Sequence, residues 1–343
     1  MTEPSYRVER DASRFLSRVP SIAERVGRKP LAVGRVVGQS AAWMEVLTQA
    51  ARVAATRATV FLHGASGTGK EVVARFIHRT SPRKDGPFVA INCAALPESL
   101  IESELFGYER GAFTGASQSK AGLIEIASAG VLFLDEVSEL SPAAQAKFLR
   151  VLEEREFLRL GGTQPVKTHA RVIAATNRDL HAAIKSGAFR EDLYYRLRVF
   201  DIRIPPLRER PGDIALLTDA FLEDMGQTSG CPPAGVSEAV RCILTAYDWP
   251  GNVRELRNVL ERATILCGGS LIMPAHLSLQ SGPGLSSPTA NLDEIVRRQI
   301  EQTLRETAWN ISKSARRLGL TRTQLYVRLK KYRLERPSHH AAS

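Results

Sequence analysis

The chain has 343 residues, enough for two or three domains, with 43% hydrophobic residues and a formal net charge of +11. No apolar run approaches the roughly 20 residues that span a bilayer. Residues 1–30 mix Arg and Glu and lack the apolar middle of a secretion signal, so the expected compartment is cytoplasmic, with no membrane partner. Cys93, Cys231, Cys242 and Cys267 form no C-x-x-C pair and lie at no metal spacing from histidine, so they read as reduced thiols. Residues 297–343 hold 12 Lys and Arg against 3 Asp and Glu, a net +9, while 38–296 carries −2. The tail therefore points to a polyanion partner.

Residues 1–36 are Arg-rich with scattered apolar positions, too few for a sensory domain. Helical spacing follows over 41–55 (Trp43, Val46, Leu47, Ala50, Val53). A short β-rich run, 58–63, then leads into Gly64-Ala65-Ser66-Gly67-Thr68-Gly69-Lys70-Glu71, and a helical pattern continues to Arg79. Strand, glycine-rich turn and helix form the setting of a phosphate-binding loop. The glycines let backbone N–H groups converge on phosphate oxygens at the positive end of the helix. Lys70 adds a point charge for the β- and γ-phosphates. The general pattern places Ser or Thr after the lysine to reach Mg²⁺; Glu71 stands there instead, so the metal needs another route.

Further along lies Gly111-Ala112-Phe113-Thr114-Gly115-Ala116, one aromatic and one hydroxyl between glycines. Such a run reads as a loop tip that holds Phe113 up as a contact for another molecule. The alternative is a hairpin turn whose Phe folds back onto the core. The apolar run 131–134 reads as a strand buried on both faces, and Asp135 and Glu136 follow at its carboxyl end, where α/β sheets bind ligands. Asp135 is placed to hold Mg²⁺ and Glu136 to polarise the water that attacks a phosphoryl group. Strand 170–175 runs into Thr176 and Asn177, which either sense the γ-phosphate or cap the next helix. Strand 88–91 ends at Asn92, which either bonds Glu136 or satisfies a turn. Arg190 and Arg196 sit in a helical setting over 189–197. They either reach a neighbouring subunit's nucleotide, where a guanidinium is worth roughly 10³–10⁵ in rate, or pair on the surface with Glu191 and Asp192.

After Pro205-Pro206, segments 214–225, 237–247 and 251–267 carry helical apolar spacing and form a small helical subdomain. Within it, Trp249–Leu256 breaks and restarts a helix with Arg254 in the first turn. A cation there opposes the helix dipole, which points to another duty such as touching nucleotide. Residues 280–290 make a Gly/Ser/Pro linker. Asn291 with Glu294 opens a helix, and 311–318 and 321–332, joined at Gly319-Leu320, read as a helix-turn-helix. On its second helix Arg322 and Gln324 would reach base edges, and Arg328, Lys330 and Lys331 phosphates.

Together these motifs closely resemble the sigma-54-dependent bacterial transcription activators, the enhancer-binding proteins of the AAA+ class, over about 36–276 and 291–336. Gly64–Glu71 is similar to the family's Walker A loop, which characteristically ends in Glu, so Glu71 becomes a family mark. Residues 131–136 are similar to Walker B. Asn92 matches the residue that switches the catalytic Glu, Asn177 the first sensor, Arg254 the second sensor, and Arg190 and Arg196 the trans-acting arginines. Gly111–Ala116 matches the loop that touches the sigma factor, and the tail, with Thr321 opening its second helix, is similar to a Fis-type DNA-binding domain.

The resemblance implies an α/β fold: a P-loop parallel sheet with helices on both faces (37–207), a helical lid (208–276), a linker (277–290), an all-α helix-turn-helix domain (291–336) and a short tail (337–343). It implies ATP and Mg²⁺ as cofactors, and sigma-54 RNA polymerase and double-stranded enhancer DNA as partners. It also implies a homo-oligomer, dimer to hexameric ring, in which each site takes its arginines from a neighbour. The departure is at the front, where most members carry a sensory domain. Control by a separate regulatory protein, constitutive activity and loss of an N-terminal region all stay open. A rival reading, a DNA-binding regulator whose AAA+ part only assembles, would go with a degraded 111–116 loop or damaged acids at 135–136; both are intact.

Overall fold

The computed structural model describes residues 36–230 and 232–279 and, in the tail, 301, 303–304, 307, 309–317, 325 and 329. Tertiary contacts divide the chain into two compact units, with the boundary in sequence between Leu277 and Ser278. The described strands, in chain order, are β1 (Val60–His63), β2 (Phe88–Asn92), β3 (Gly107–Tyr108), β4 (Lys120–Ala121), β5 (Val131–Asp135), β6 (Glu156–Leu158), β7 (Pro165–Lys167), β8 (Arg171–Thr176) and β9 (Phe200–Arg203). Five of them build one parallel sheet in the order β2-β5-β8-β1-β9. The other four pair as two separate antiparallel ribbons, β3 with β4 and β6 with β7.

Alternation along β5 explains why helices cover both faces of the sheet. Leu132 and Leu134 enter one core with Phe106, Phe148 and Leu193. Val131 and Phe133 enter the other with Trp43, Val73 and Ile77. A strand buried on both sides has to be apolar at every position, which is why it carries no polar alternation. The helix Ala41–Ala54 is N-capped by Ser40, whose hydroxyl accepts the Trp43 N–H.

Beyond the sheet, helices Gly212–Ser229, Glu238–Ala246 and Asn252–Leu266 pack as a helical subdomain. The break before the last helix is fixed by Trp249, which is fully buried, donates its indole N–H to Leu244 O (2.8 Å) and packs edge-on to Tyr247 (5.0 Å). In the second unit, helix Ile311–Arg317 starts at Asn310, whose Oδ1 accepts the Lys313 N–H (3.1 Å). Cys93, Cys242 and Cys267 are free thiols. Cys231, residues 1–35, the linker 280–290, and Thr321, Arg322, Gln324, Arg328, Lys330 and Lys331 all lie outside the described residues.

Candidate functional site

Because β5, β8 and β1 are parallel neighbours, their carboxyl ends bring three distant segments together. These are the loop 64–70, the pair Asp135-Glu136, and Thr176-Asn177, gathered where open α/β sheets place ligands. The helical subdomain closes one side, leaving a cleft of about 570 Å³. Ser66, Gly67, Gly69, Lys70 and Glu71 form one wall. Asn92, Asp135, Glu136 and Asn177 form the facing wall, and Arg254 enters from the helical side. Gly64, Ala65 and Thr68 back the loop; the Thr68 hydroxyl donates to Ala65 O (2.8 Å) and is itself buried.

Lys70 is 7% exposed, donates to Gly64 O (3.0 Å), and lies 3.5 Å from Glu136 Oε1. Glu136 takes a left-handed backbone (φ 54), and its Oε2 accepts the Asn177 N–H (3.0 Å). A non-glycine residue held in that region at the end of a strand stores local strain at the cleft. Burial holds the Asp135 carboxyl above its ordinary range; Lys70 opposes this, while Glu136 and Glu71 add to it. The same burial, reinforced by Asp135, Glu136 and Glu139, pushes the Cys93 thiol up to about 12. Several carboxylates around one buried ammonium suit the joint arrival of a hard cation and a polyphosphate, which cancel both sets of charge.

The alternatives open in the sequence take definite forms. Asn92 Oδ1 accepts the Ala94 N–H (2.8 Å), so its side chain satisfies the turn and makes no bond to Glu136. The helix after β8 is capped by Asp179, which accepts the His181 N–H (2.9 Å), leaving Asn177 on the cleft wall. Arg190 pairs with Asp192 (2.7 Å) and Arg196 with Glu153 (3.0 Å), both on the surface and outside the cleft lining. Arg254 Nη1 donates to Ser66 Oγ (2.9 Å), joining the helical subdomain to the phosphate-loop segment.

Loop 111–116 leaves the sheet layer on the β3–β4 ribbon. Gly111 and Gly115 take φ +85 and +104 with open space around them, so the tip depends on residues free to adopt positive φ. Phe113 is 48% exposed and meets the Tyr108 ring edge-on at 5.0 Å, while Thr114 is exposed. The ring is thus propped by an aromatic neighbour yet remains accessible.

Three supporting residues carry no mark in the sequence. Arg159, at the end of β6, joins Glu109 (2.9 Å) and Glu125 (2.9 Å) at the base of the loop. Asn252 and Arg210 contact the phosphate loop through backbone carbonyls, and because every residue carries a carbonyl the partner leaves no residue-type signal to read.

Comparison with known proteins matches three regions of the chain. The sigma-54 interaction domain is matched over residues 36–203, an AAA+ ATPase lid domain over 208–291, and the Fis family of bacterial regulatory proteins over 292–332. The regulatory protein AtoC of Escherichia coli is 44% identical over 315 residues, covering 88% of this chain and 68% of AtoC. The Nif-specific regulatory protein of Azotobacter vinelandii is 48% identical over 303 residues, covering 86% of this chain and 58% of that protein. The chain thus spans little more than half the length of the latter. The crystal structure of NtrX from Brucella abortus in complex with ATP superposes with a TM-score of 0.68 at 34% identity, covering 88% of this chain and 70% of NtrX. The chain belongs to the family of sigma-54-dependent activators, with an AAA+ ATPase core, its lid and a Fis-type helix-turn-helix. Among the described residues no helix is long and apolar enough to cross a membrane.

Proposed function

We propose that this chain is an enhancer-bound ATPase that remodels sigma-54 RNA polymerase from closed to open complex, acting as a ring of identical subunits in the cytoplasm. One observation carries the reading. A single cleft gathers Lys70, Asp135, Glu136 and Arg254, and the same subunit presents an outward loop, 111–116, with an accessible Phe113.

Lys70 neutralises β- and γ-phosphate oxygens from within the loop, as a buried ammonium facing open cleft is suited to do. Glu136, already 3.5 Å from that ammonium, orients and polarises the attacking water. Asp135 and Glu71 are oxygen donors of the kind Mg²⁺ takes together with water, and a cation would offset the burial that lifts Asp135 together with the smaller push from Glu136 and Glu71. When bound, Mg²⁺ supplies charge neutralisation across the phosphates. Asn92 becomes a switch on Glu136 once its side chain leaves the Ala94 N–H. Arg190 and Arg196 serve the neighbouring subunit's cleft, because in their own subunit they stand outside it. Thr321, Arg322, Gln324, Arg328, Lys330 and Lys331 are assigned to the DNA contact, on the resemblance of the tail to Fis-type domains.

Thr114→Ala tests the coupling. The variant should keep ATP turnover within about twofold while transcription from a sigma-54 promoter falls by at least about tenfold. Normal activation by this variant would remove loop 111–116 from the mechanism.

A further inference from the structure

A loop that aims its N–H groups inward at phosphate has to aim its carbonyls outward, and each outward carbonyl needs a donor. Every carbonyl from 64 to 68 has one. Gly64 O accepts from Lys70 Nζ (3.0 Å) and Ala65 O from the Thr68 hydroxyl (2.8 Å), so these two are satisfied from within the loop and its own helix. The next three are not. Ser66 O accepts from Asn252 Nδ2 (3.0 Å), Gly67 O from the Val253 N–H (3.0 Å), and Thr68 O from Arg210 Nη2 (2.7 Å). All three donors belong to the segment that follows the sheet and builds the lid.

The two side chains are committed on their far sides as well. Asn252 is 1% exposed with φ 53, and its Oδ1 accepts the Leu207 N–H (2.8 Å). One amide group therefore ties the turn after β9, the start of the last lid helix and the phosphate loop. Arg210 is 2% exposed and lies with its guanidinium 4.4 Å over the Trp43 ring, so packing fixes its direction as well as its length. Backbones meet directly too: a Cβ on Gly67 would stand 2.4 Å from Gly251 O. The turn 249–254 cannot shift without moving the carbonyls of Ser66 and Gly67 or giving up their partly buried hydrogen bonds, and Arg210 cannot leave without stranding the buried carbonyl of Thr68, which is unfavourable.

We propose that Asn252 and Arg210 are positioning residues that hold the phosphate-binding loop in its ligand-ready shape, so that lid placement and nucleotide affinity vary together. The inference rests on the reading of the cleft as a nucleotide site. If the unmodified chain failed to bind ADP, that reading would fall; the experiment below is decisive for the inference when the unmodified chain does bind.

ADP affinity is measured by calorimetry on the full chain, with the unfolding midpoint taken separately without nucleotide. Asn252→Asp keeps the acceptor for Leu207 and turns an oxygen toward Ser66 O. Arg210→Lys keeps the charge and loses the planar fork. Both should weaken ADP binding by at least about tenfold, equivalent to about 1.4 kcal/mol, at a temperature where the variant is fully folded. The exposed neighbour Arg208→Lys should leave affinity unchanged. A lowered midpoint with ADP affinity within about threefold of the unmodified chain would mean that the residues serve stability alone. Amide exchange on the unmodified chain gives a second arm free of folding defects. Exchange at Val253 should slow with the same ADP midpoint as the amides of 67–70. Val253 exchange left unchanged at saturating ADP would overturn the proposal.

Discussion

Arg159→Ala separates the loop from the engine. The substitution removes the donors to Glu109 Oε1 (2.9 Å) and to both Glu125 oxygens (2.9 Å from Nη2, 3.2 Å from Nε). The Arg159 side chain is 22% exposed and its partners more so, so each pair is discounted for solvent. Partly exposed pairs are worth about 0.2–1 kcal/mol each, and the forked geometry toward Glu125 places this set at roughly 1–2 kcal/mol in total. Two backbone bonds remain, Glu109 N–H to Leu160 O and Leu160 N–H to Gly107 O, both 2.9 Å, so the ribbons stay joined. The unfolding midpoint should therefore fall by only about 2–6 °C. ATP turnover should stay within about twofold, since nothing in the cleft is touched. Affinity for purified sigma-54 in the presence of an ADP–metal-fluoride mimic should drop about tenfold, because the population of correctly set loops falls by the energy lost. Adding Glu125→Ala to the same chain should cost little more, as expected of residues that share one contact. Unchanged sigma-54 affinity in Arg159→Ala would refute the reasoning, and so would a parallel loss of ATP turnover.

Glu136→Gln should lower kcat for ATP by roughly 10²–10⁴ while ADP affinity stays within about threefold, measured by steady-state hydrolysis and calorimetry; near-normal kcat would remove Glu136 as the group that activates water. Asp213 is fully buried and accepts from the Gln39 N–H (2.7 Å), the Ser40 N–H (2.8 Å) and the Ser40 hydroxyl (2.8 Å). Asp213→Ala should destabilise by about 3–5 kcal/mol in urea. Asp213→Asn, which keeps an acceptor for the two amides, should cost only about 1–2 kcal/mol, and equal losses would contradict the assignment. Cys93 is buried with its thiol pushed up to about 12, whereas Cys242 is exposed, so iodoacetamide at mildly alkaline pH should label Cys242 and spare Cys93 by mass spectrometry. The unfolded thiol ionises near its ordinary 9.0 and the folded one near 12, so the contribution of Cys93 to stability is complete below the first value and declines as pH rises toward the second. Equal labelling rates at the two thiols would count against that burial.

What could be read from the sequence follows from what leaves a local trace. The run Val131–Leu134 is apolar at every position because both faces of β5 are covered, and the acids after it fall at the strand end by necessity. The glycines of 64–69 and 111–115 are written in composition because positive φ and close backbone approach exclude other residues. Asn92 and Asn177 could not be assigned from type alone, since an Asn after a strand serves a turn or a ligand equally well; the contact to Ala94 and the Asp179 cap separate them only in three dimensions. Asn252 was hidden for another reason: its partner is a carbonyl 186 residues earlier, and every residue has a carbonyl. The ribbons β3–β4 and β6–β7 are two and three residues per strand, too short for alternation to register.

Arg190 and Arg196 are already spoken for, by Asp192 and Glu153. In the ring proposed above, Arg190 holds Asp192 through Nε and Nη2 and Arg196 holds Glu153 through Nε, so each would share or exchange its carboxylate on reaching a neighbour's phosphates. A cleft without nucleotide sets its carboxylates beside the cations Lys70 and Arg254, whereas a triphosphate offers more negative charge and paired oxygens. In that ring a triphosphate in the neighbour's cleft would draw both arginines from pairs that are themselves weak, because exposed ion pairs contribute little. Salt, which screens exposed charges beyond about 8–10 Å, would weaken the pairs within a subunit and the attraction between subunits at once.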